Sequence, residues 1–164
     1  MDEQHQRVWA WCDGTLRVCD LDGQPISSST PTPAPGGGEA ALVVHPDDGT
    51  LWLAVHKDLL HLDPQGSLLS ASALGDQAVA LALDADRGIL WVATSKGVAA
   101  VDAINGAAVF APDLGAKPDV ADIAVDSKSG EVWVALKKEL RRYSATGLLL
   151  FVGAFHQAGR VAIS

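Results

Sequence analysis

A tryptophan-marked phrase occurs four times in the chain, at intervals of roughly 40 residues. Its copies are marked by Trp9, Trp52, Trp91 and Trp133. An Asp stands eleven residues after each of the first three tryptophans, Ser144 takes that place in the fourth copy, and a Gly follows shortly after each. A fixed period of this length, with several short apolar runs in every copy, is typical of β-propeller blades, in which each repeat forms one antiparallel sheet.

The third copy shows the strands of one repeat most clearly, and we label them A to D in chain order. They are predicted at Ala78–Leu83, Ile89–Thr94, Gly97–Asp102 and Ala107–Ala111. The turns between them contain Asp and Gly, since an Asp side chain caps a turn and Gly accepts a positive φ. No segment combines a helical apolar period with capping residues, so the sequence predicts almost no helix.

The predicted strands are apolar on both faces, as the runs LWLAV and ILWVA illustrate. The hairpin turns are too short to hold crossover helices that would cover such faces. Sheets that pack face to face, as propeller blades do, explain the pattern. We therefore expect the four repeated tryptophans to be buried between blades, each removing about 150–250 Å² from water.

The two ends of the chain complement each other. The first copy begins at its B strand, Arg7–Cys12, and the last segment, Gly159–Ser164, matches the A strands of the other copies. Placing this last strand in the first blade removes exposed sheet edges. The sequence therefore predicts an all-β fold, a β-propeller with four four-stranded antiparallel blades, closed by the C-terminal strand completing the first blade.

One β-propeller domain is expected to cover residues 1–164. Its blades are predicted at 7–35 plus 159–164, at 40–75, at 78–114 and at 119–156. The proline-rich stretch 24–39 occupies the D-strand position of blade 1. Because proline cannot donate to a strand ladder, the sequence predicts a poor or absent D strand there.

The repeated phrase, seen in Ile89–Asp102 as ILWVATSKGVAAVD, resembles the NHL/SMP-30-like class of β-propeller repeats. It is also similar to two-component-regulator and quinoprotein-like propeller repeats. The resemblance covers nearly the whole chain and implies a propeller, but such repeats usually close rings of six or more blades. Four copies leave three alternatives: a closed four-bladed ring, a larger ring formed by two chains, or part of a longer protein.

Composition narrows the classes of partner. The net charge of −8 disfavours nucleic acid and a basic membrane-binding face, because both need clustered positive charge. The N-terminus has no signal-peptide pattern and no apolar run reaches the length of a membrane span. If Met1 is the natural start, a cytoplasmic location is expected; otherwise the sequence leaves the location open.

The two cysteines, Cys12 and Cys19, are predicted to be free and buried. If Asp13 and Gly14 form the hairpin turn, Cys12 faces Thr15 and Cys19 lies about 13 Å further along the strand. A disulfide needs Cα atoms within about 7 Å of each other.

The turns separate into two faces. The A–B and C–D turns gather Asp residues, which turn chemistry alone explains. The B–C turns and D–A loops carry the predicted interaction residues, which are Lys57, Lys96, Lys137, Lys138, Pro31, Pro33 and Pro35. Loop Pro112–Pro118 is expected on the same face. We read the cluster of Lys137, Lys138, Arg141 and Arg142 around Glu139 as a solvated hairpin rather than a phosphate site.

One further constellation is a candidate ligand site. His45, Asp84, Asp126 and Ser164 occupy equivalent positions at the ends of the four A strands. A His with two carboxylates can hold a divalent metal, which makes His45, Asp84 and Asp126 the candidate metal ligands. The alternative is that each residue only caps the tight turn that follows it, and no other cofactor is predicted.

We therefore expect a non-enzymatic scaffold or recognition module that binds a protein, a peptide or a small ligand through the B–C/D–A face, as a monomer or homodimer. One alternative is a metal- or small-ligand-binding channel of a propeller hydrolase or lyase, and another is part of a larger ring formed by chain association. The resemblance to SMP-30-like lactonases implies Glu and Asn or Asp metal ligands. The single Asn, Asn105, lies in a C–D turn and no Glu lies on an A strand, so no catalytic residue is carried over.

Overall fold

The computed structural model describes residues 6–31, 39–115, 118–155 and 159–163. The chain divides into two compact units, Met1–Gly75 and Asp76–Ser164. Each unit contains two antiparallel sheets. The part of the chain that is described contains no helix, as the sequence predicts, and so none that could cross a membrane.

The described residues of the first unit form two antiparallel sheets, one of three strands and one of four, each paired in chain order. Neighbours in the chain are neighbours in the sheet, because the turns between them are short. The strands are β1 (Arg7–Cys12), β2 (Thr15–Asp20), β3 (Pro25–Ser29), β4 (Ala40–Val44), β5 (Leu51–Val55), β6 (Asp58–Leu62) and β7 (Leu68–Ala73).

In the second unit, the residues that the structure describes form eight strands in two four-stranded sheets, again paired in chain order. The B and C strands of the third repeat have the bounds that the sequence predicts. The strands are β8 (Ala78–Asp84), β9 (Ile89–Thr94), β10 (Gly97–Asp102), β11 (Ala108–Phe110), β12 (Val120–Val125), β13 (Val132–Leu136), β14 (Glu139–Tyr143) and β15 (Leu149–Ala154).

The C–D turns share one hydrogen-bonding device. The side-chain oxygen of Asp20, Asp63 and Ser144 accepts from the backbone N–H groups two and four residues further on. Asp102 accepts from the groups two and three residues on. The Gly that ends each turn has a positive φ of 72° to 85°. Ser144, the one departure from Asp, therefore fills the same role.

Packing inside each unit follows one rule. In the first unit, the face of the first sheet that carries Trp9 packs against Leu51, Leu53 and Val55 of the next sheet. These three residues lie on the face opposite Trp52, because successive strand residues point to opposite sides. In the second unit, the face that carries Trp91 packs in the same way against residues of β13 opposite Trp133, including Val132. We call the side of each sheet that carries the repeated tryptophan its Trp face.

Burial of the tryptophans is confirmed for three repeats and wrong for the fourth. Trp9, Trp52 and Trp91 are 6%, 1% and 1% exposed, whereas Trp133 is only partly buried. The Arg142 guanidinium lies 5.4 Å from the centre of the Trp133 ring. The ring of Phe151 is 6.1 Å away. The cation and the neighbouring ring leave Trp133 more exposed than Trp9, Trp52 and Trp91.

The prediction for the D strand of blade 1 is also wrong, since β3 is present and pairs with β2. The dense prolines begin at Pro31, beyond the end of this strand. Pro25 occupies the first position of the strand, where a missing N–H is tolerated.

The first sheet has three strands in the described part of the chain. Residues 159–163, which the sequence predicts as its fourth strand, have no strand assignment there. The Val161 N–H donates to the Asp122 carboxylate at 2.9 Å. Completion of the first blade by Gly159–Ser164 therefore stays a prediction, with Ser164 outside the described residues.

Both cysteines are free, as predicted, but they are not buried. Cys12 pairs with Thr15 beside the hairpin turn and is exposed, because the turn itself faces solvent. Cys19 lies opposite Val8 and is partly exposed.

A β-bulge recurs where the D strand pairs with the C strand in every sheet. The register skips one residue each time, after which regular pairing resumes. The skipped residues are Ile26, Leu69, Val109 and Leu150, with exposures of 52%, 55%, 52% and 41%. Because a bulge twists an edge strand and interrupts its ladder, this repeated feature blunts the outer edge of each sheet.

Candidate interaction site

A cleft of about 300 Å³ lies at the B–C end of the fourth sheet. The tip of the β13–β14 hairpin forms one side and the D–A connection before β12 forms the other. Its apolar walls are Leu114 and Leu136, which are 5% and 6% exposed. The remaining lining residues are Pro118, Asp119, Lys137, Lys138, Glu139 and Arg141. The structure thus brings Lys137 and Lys138 together with the ends of loop Pro112–Pro118, on one face as predicted.

Arg141 fastens the two sides of the cleft together. Its guanidinium donates to the Glu139 carboxylate at 2.8 and 2.9 Å and to the Leu114 carbonyl at 2.9 Å. Partial burial lowers the pKa of Arg141, but its interactions with Tyr143 and Glu139 raise the pKa by more, so the guanidinium stays charged. The hairpin and the loop are therefore held in a fixed geometry by charge-assisted hydrogen bonds.

The two lysines of the cleft differ in their partners. The Lys137 ammonium lies 3.2 Å from the Asp119 carboxylate, and both groups are exposed. Lys138 is exposed and forms no ion pair within the described ranges. A ligand carboxylate would therefore find Lys138 available, whereas it would compete with Asp119 for Lys137.

A lysine also stands at the B–C turns of the second and third sheets, and one of the two forms an ion pair. Lys96 forms an ion pair with Asp76 at 2.8 Å, and Asp76 precedes the A strand of the same sheet. Lys57 is exposed, with no ion pair among the described side chains. Within the second unit, the ion pairs of Lys96 and Lys137 make the B–C turns less basic than a count of their lysines indicates.

Of the three prolines that the sequence predicts as interaction residues, the structure describes one. Pro31 is buried and so does not present its ring to a partner. Pro33 and Pro35 lie outside the described residues. Of the predicted interaction residues, Lys138 is the one that the structure places beside a cleft without an ion-pair partner in the described part of the chain.

The candidate ligand residues are engaged in their own turns. The Asp126 carboxylate accepts from the Lys128 N–H at 3.0 Å and the Ser129 hydroxyl at 2.8 Å. These hydrogen bonds lower the pKa of Asp126, with the Ser129 hydroxyl contributing most. His45, in the first unit, lies with its Nδ1 3.5 Å from the Asp48 carboxylate. Ser164 lies outside the described residues.

Asp84 has a more specific environment. Its carboxylate is 2% exposed and lies 3.2 Å from the Arg87 guanidinium. The same guanidinium donates to the carbonyls of Ser127 and Lys128, at 2.8 and 3.2 Å. Arg87 thus joins the A–B turn of the third sheet to that of the fourth. The Asp84 carboxylate is therefore already paired with a positive charge.

The structure describes no group of three or more His, Cys, Asp or Glu side chains gathered for a metal ion in 6–31, 39–115, 118–155 and 159–163. His45 belongs to the first unit, and Asp84 and Asp126 belong to the second. The metal site therefore stays a prediction.

Sequence reasoning missed the internal role of Glu139 and Arg141. The sequence indicates a solvated hairpin, yet the two side chains form a partly buried ion pair that lines the cleft. The available signal was their spacing of two residues on one strand, which places both side chains on the same face. The Arg87 bridge had no such local signal, because its partners lie 40 residues away.

No protein-family model matches the sequence, and no curated protein matches it significantly. Solved structures do match the fold. The β-propeller domain of Cps50 (Swd1) from Myceliophteria thermophila superposes with a TM-score of 0.82 at 13% identity, over 100% of this chain and 57% of that chain. The protein is a β-propeller.

Hydrazine synthase from Kuenenia stuttgartiensis is also similar, with a TM-score of 0.80 at 12% identity over 95% of this chain and 48% of that chain. This propeller chain therefore spans about half the length of the structures that it matches. At such identities the likeness is one of fold, and the predicted NHL/SMP-30-like class is a narrower assignment than it supports.

Proposed function

We propose that this β-propeller is a non-enzymatic recognition module that binds an extended peptide segment of a partner protein in the cleft of the fourth sheet. The observation that carries the proposal is the cleft itself, where buried apolar walls adjoin a lysine without an ion-pair partner in the described structure. Apolar walls supply contact area in a binding cleft, and the polar groups beside them fix the orientation of the ligand.

The charges of the cleft define the chemistry of the segment. The lining carries three cationic side chains and two carboxylates, a net positive balance within a chain of net charge −8. Because Arg141 and Lys137 already have carboxylate partners, Lys138 is the group that would pair with a ligand carboxylate. Leu114 and Leu136 would contact an apolar ligand side chain. An acidic segment with one apolar residue fits both features.

Binding of labelled peptides tests this function directly. The probe is a set of fluorescein-labelled peptides with two or three Asp or Glu residues around a single Leu or Phe, measured by fluorescence polarisation. We expect saturable binding that weakens with added salt, because exposed charge pairs are screened. Lys138→Glu should reduce binding about tenfold or more, the effect of roughly 1.4 kcal/mol.

Lys57→Glu is the matched control. Lys57 stands five residues after Trp52, as Lys138 does after Trp133, and both are exposed at a B–C turn. The control should bind like the unchanged protein. Equal losses in the two variants would show that only the overall charge matters, and the absence of binding to any acidic peptide would refute the proposed function.

The narrower family assignment and the metal- or small-ligand channel around His45, Asp84 and Asp126 remain hypotheses from the sequence.

A further inference from the structure

Equivalent faces of the four sheets differ in how completely they are covered. Inside each unit, a Trp face packs against the opposite face of the following sheet. The residue before each repeated tryptophan marks that opposite face. In three sheets it is fully buried, since Leu51, Leu90 and Val132 are each 0% exposed.

The Trp face of the fourth sheet is incompletely covered. Trp133 is partly exposed, and Phe151 and Phe155 are 44% and 51% exposed. The two phenylalanine rings converge on Gly153, where an added Cβ would lie 2.9 Å from Phe151 and 3.3 Å from Phe155. In the other three repeats the tryptophan of this face is buried.

The opposite face of the first sheet is incompletely covered too. Val8 and Ala10, the residues on either side of Trp9, are partly exposed. Cys19, which pairs with Val8, is also partly exposed. A hollow of about 510 Å³ lies alongside β2 and β3, and Arg17 and Cys19 are among its lining residues. The chain thus carries two incompletely covered faces, the Trp face of the fourth sheet and the opposite face of the first sheet.

We propose that two copies of the chain associate head to tail, the Trp face of the fourth sheet of each packing against the opposite face of the first sheet of the other. This contact has the same arrangement as the packing of neighbouring sheets within each unit, in which a Trp face lies against the opposite face of the next sheet. Two such contacts are equivalent by a two-fold axis and close the assembly, since a heterologous contact gives a closed dimer when the rotation closes. Together the copies contain eight sheets, and one chain spans 48% to 57% of the propeller chains it matches.

The area available suits a reversible dimer. A three- or four-stranded face about 14–19 Å wide and 17 Å long offers roughly 300 Å². The two contacts, counted on both copies, bury roughly 1,200 Å², the lower limit for specific stable interfaces. An interface at this limit is expected to dissociate on dilution.

The mass in solution over a wide range of concentrations is the first measurement. Sedimentation equilibrium should show the 17.0 kDa chain in exchange with a species of twice that mass. Phe151→Lys should shift the equilibrium to monomer at least tenfold. Leu69→Lys is the matched control, because Leu69 is an exposed residue of a D strand in the other unit and should leave the equilibrium unchanged.

Mixing two monomeric variants distinguishes this arrangement from a symmetric contact of like faces. Val8→Glu alters the first sheet and should also give monomers. In a mixture with Phe151→Lys, one contact joins the new Lys to the new Glu and the other joins two unchanged faces. A heterodimer should therefore form from two variants that do not dimerise alone.

A monomeric unchanged protein at every concentration would overturn the proposal, as would variants that dimerise normally or a mixture that stays monomeric. Circular dichroism of each variant establishes that it is folded. If Phe151→Lys does not fold, Phe155→Lys changes the same surface at a residue beyond the end of β15 and gives the same test.

Discussion

The Arg87 bridge predicts a large and specific loss of stability when its charge is removed. Arg87→Met keeps most of the side-chain length but leaves the Asp84 carboxylate, which is 2% exposed, without its cation. It also removes the donors to the Ser127 and Lys128 carbonyls. Both turns that the bridge joins should then loosen.

The magnitude follows from burial. Removing one partner of a fully buried ion pair costs about 3–5 kcal/mol. The Arg87 side chain is 36% exposed, so solvent screens part of the interaction. We expect Arg87→Met to lower the free energy of unfolding by about 2–4 kcal/mol. At roughly 2–4 °C per kcal/mol for a chain of this size, the melting temperature should fall by roughly 5–15 °C.

Urea unfolding followed by tryptophan fluorescence measures this loss. Lys96→Met is the control, because it removes the cation of an ion pair whose Lys is 75% exposed. That change should cost at most about 1 kcal/mol. Combining Arg87→Met with Asp84→Asn should cost less than the sum of the two single changes, since the contacting residues are coupled. An Arg87→Met protein no less stable than the control, or additive effects in the double variant, would refute the reasoning.

Three further outcomes are expected. Gly147→Ala should lower the free energy of unfolding, measured in urea, by about 2 kcal/mol more than Gly23→Ala does. Both glycines have a positive φ near 80°, but only Gly147 is packed against an aromatic ring of β11. Equal losses of stability in the two variants would contradict this contact. Ser129→Ala should raise the pKa of Asp126 in an NMR titration. Since the folded pKa lies below its ordinary value, the associated stability is present above pH of about 4 and is lost as pH falls through the folded pKa; an unchanged titration would show that the hydroxyl is not its main partner. Deleting 159–164 should lower the melting temperature if this segment completes the first blade, and an unchanged melt would argue against that prediction.

Much of the fold could be predicted because it repeats. The strand bounds of β9 and β10 follow from one phrase that recurs four times, and the short turns fix which strands are neighbours. The exposure of Trp133 could not be predicted in this way, because a repeat describes what its copies share. The copies differ in how completely the Trp face is covered, and this depends on what packs against each sheet rather than on the shared phrase.

The chain positions of the candidate site residues also follow from the repeat, but their surroundings do not. The position of Lys138 at a B–C turn follows from the repeat, but its availability depends on Asp119 pairing with Lys137 instead. The density of prolines over 24–39 does not predict β3, because most of these prolines lie beyond the end of the strand. Only the placement of Pro25 at the strand start decides whether pairing is possible.

The C–D turns show that charge and fold are separable in this protein. Ser144 accepts from the same pattern of backbone N–H groups as Asp20 and Asp63, although its hydroxyl is neutral. What the turn requires is an oxygen at a fixed reach from the backbone. Asp-to-Ser exchanges at these turns can therefore change the net charge without changing the turn geometry, so evolution, or a designer, can adjust solubility and long-range attraction one blade at a time.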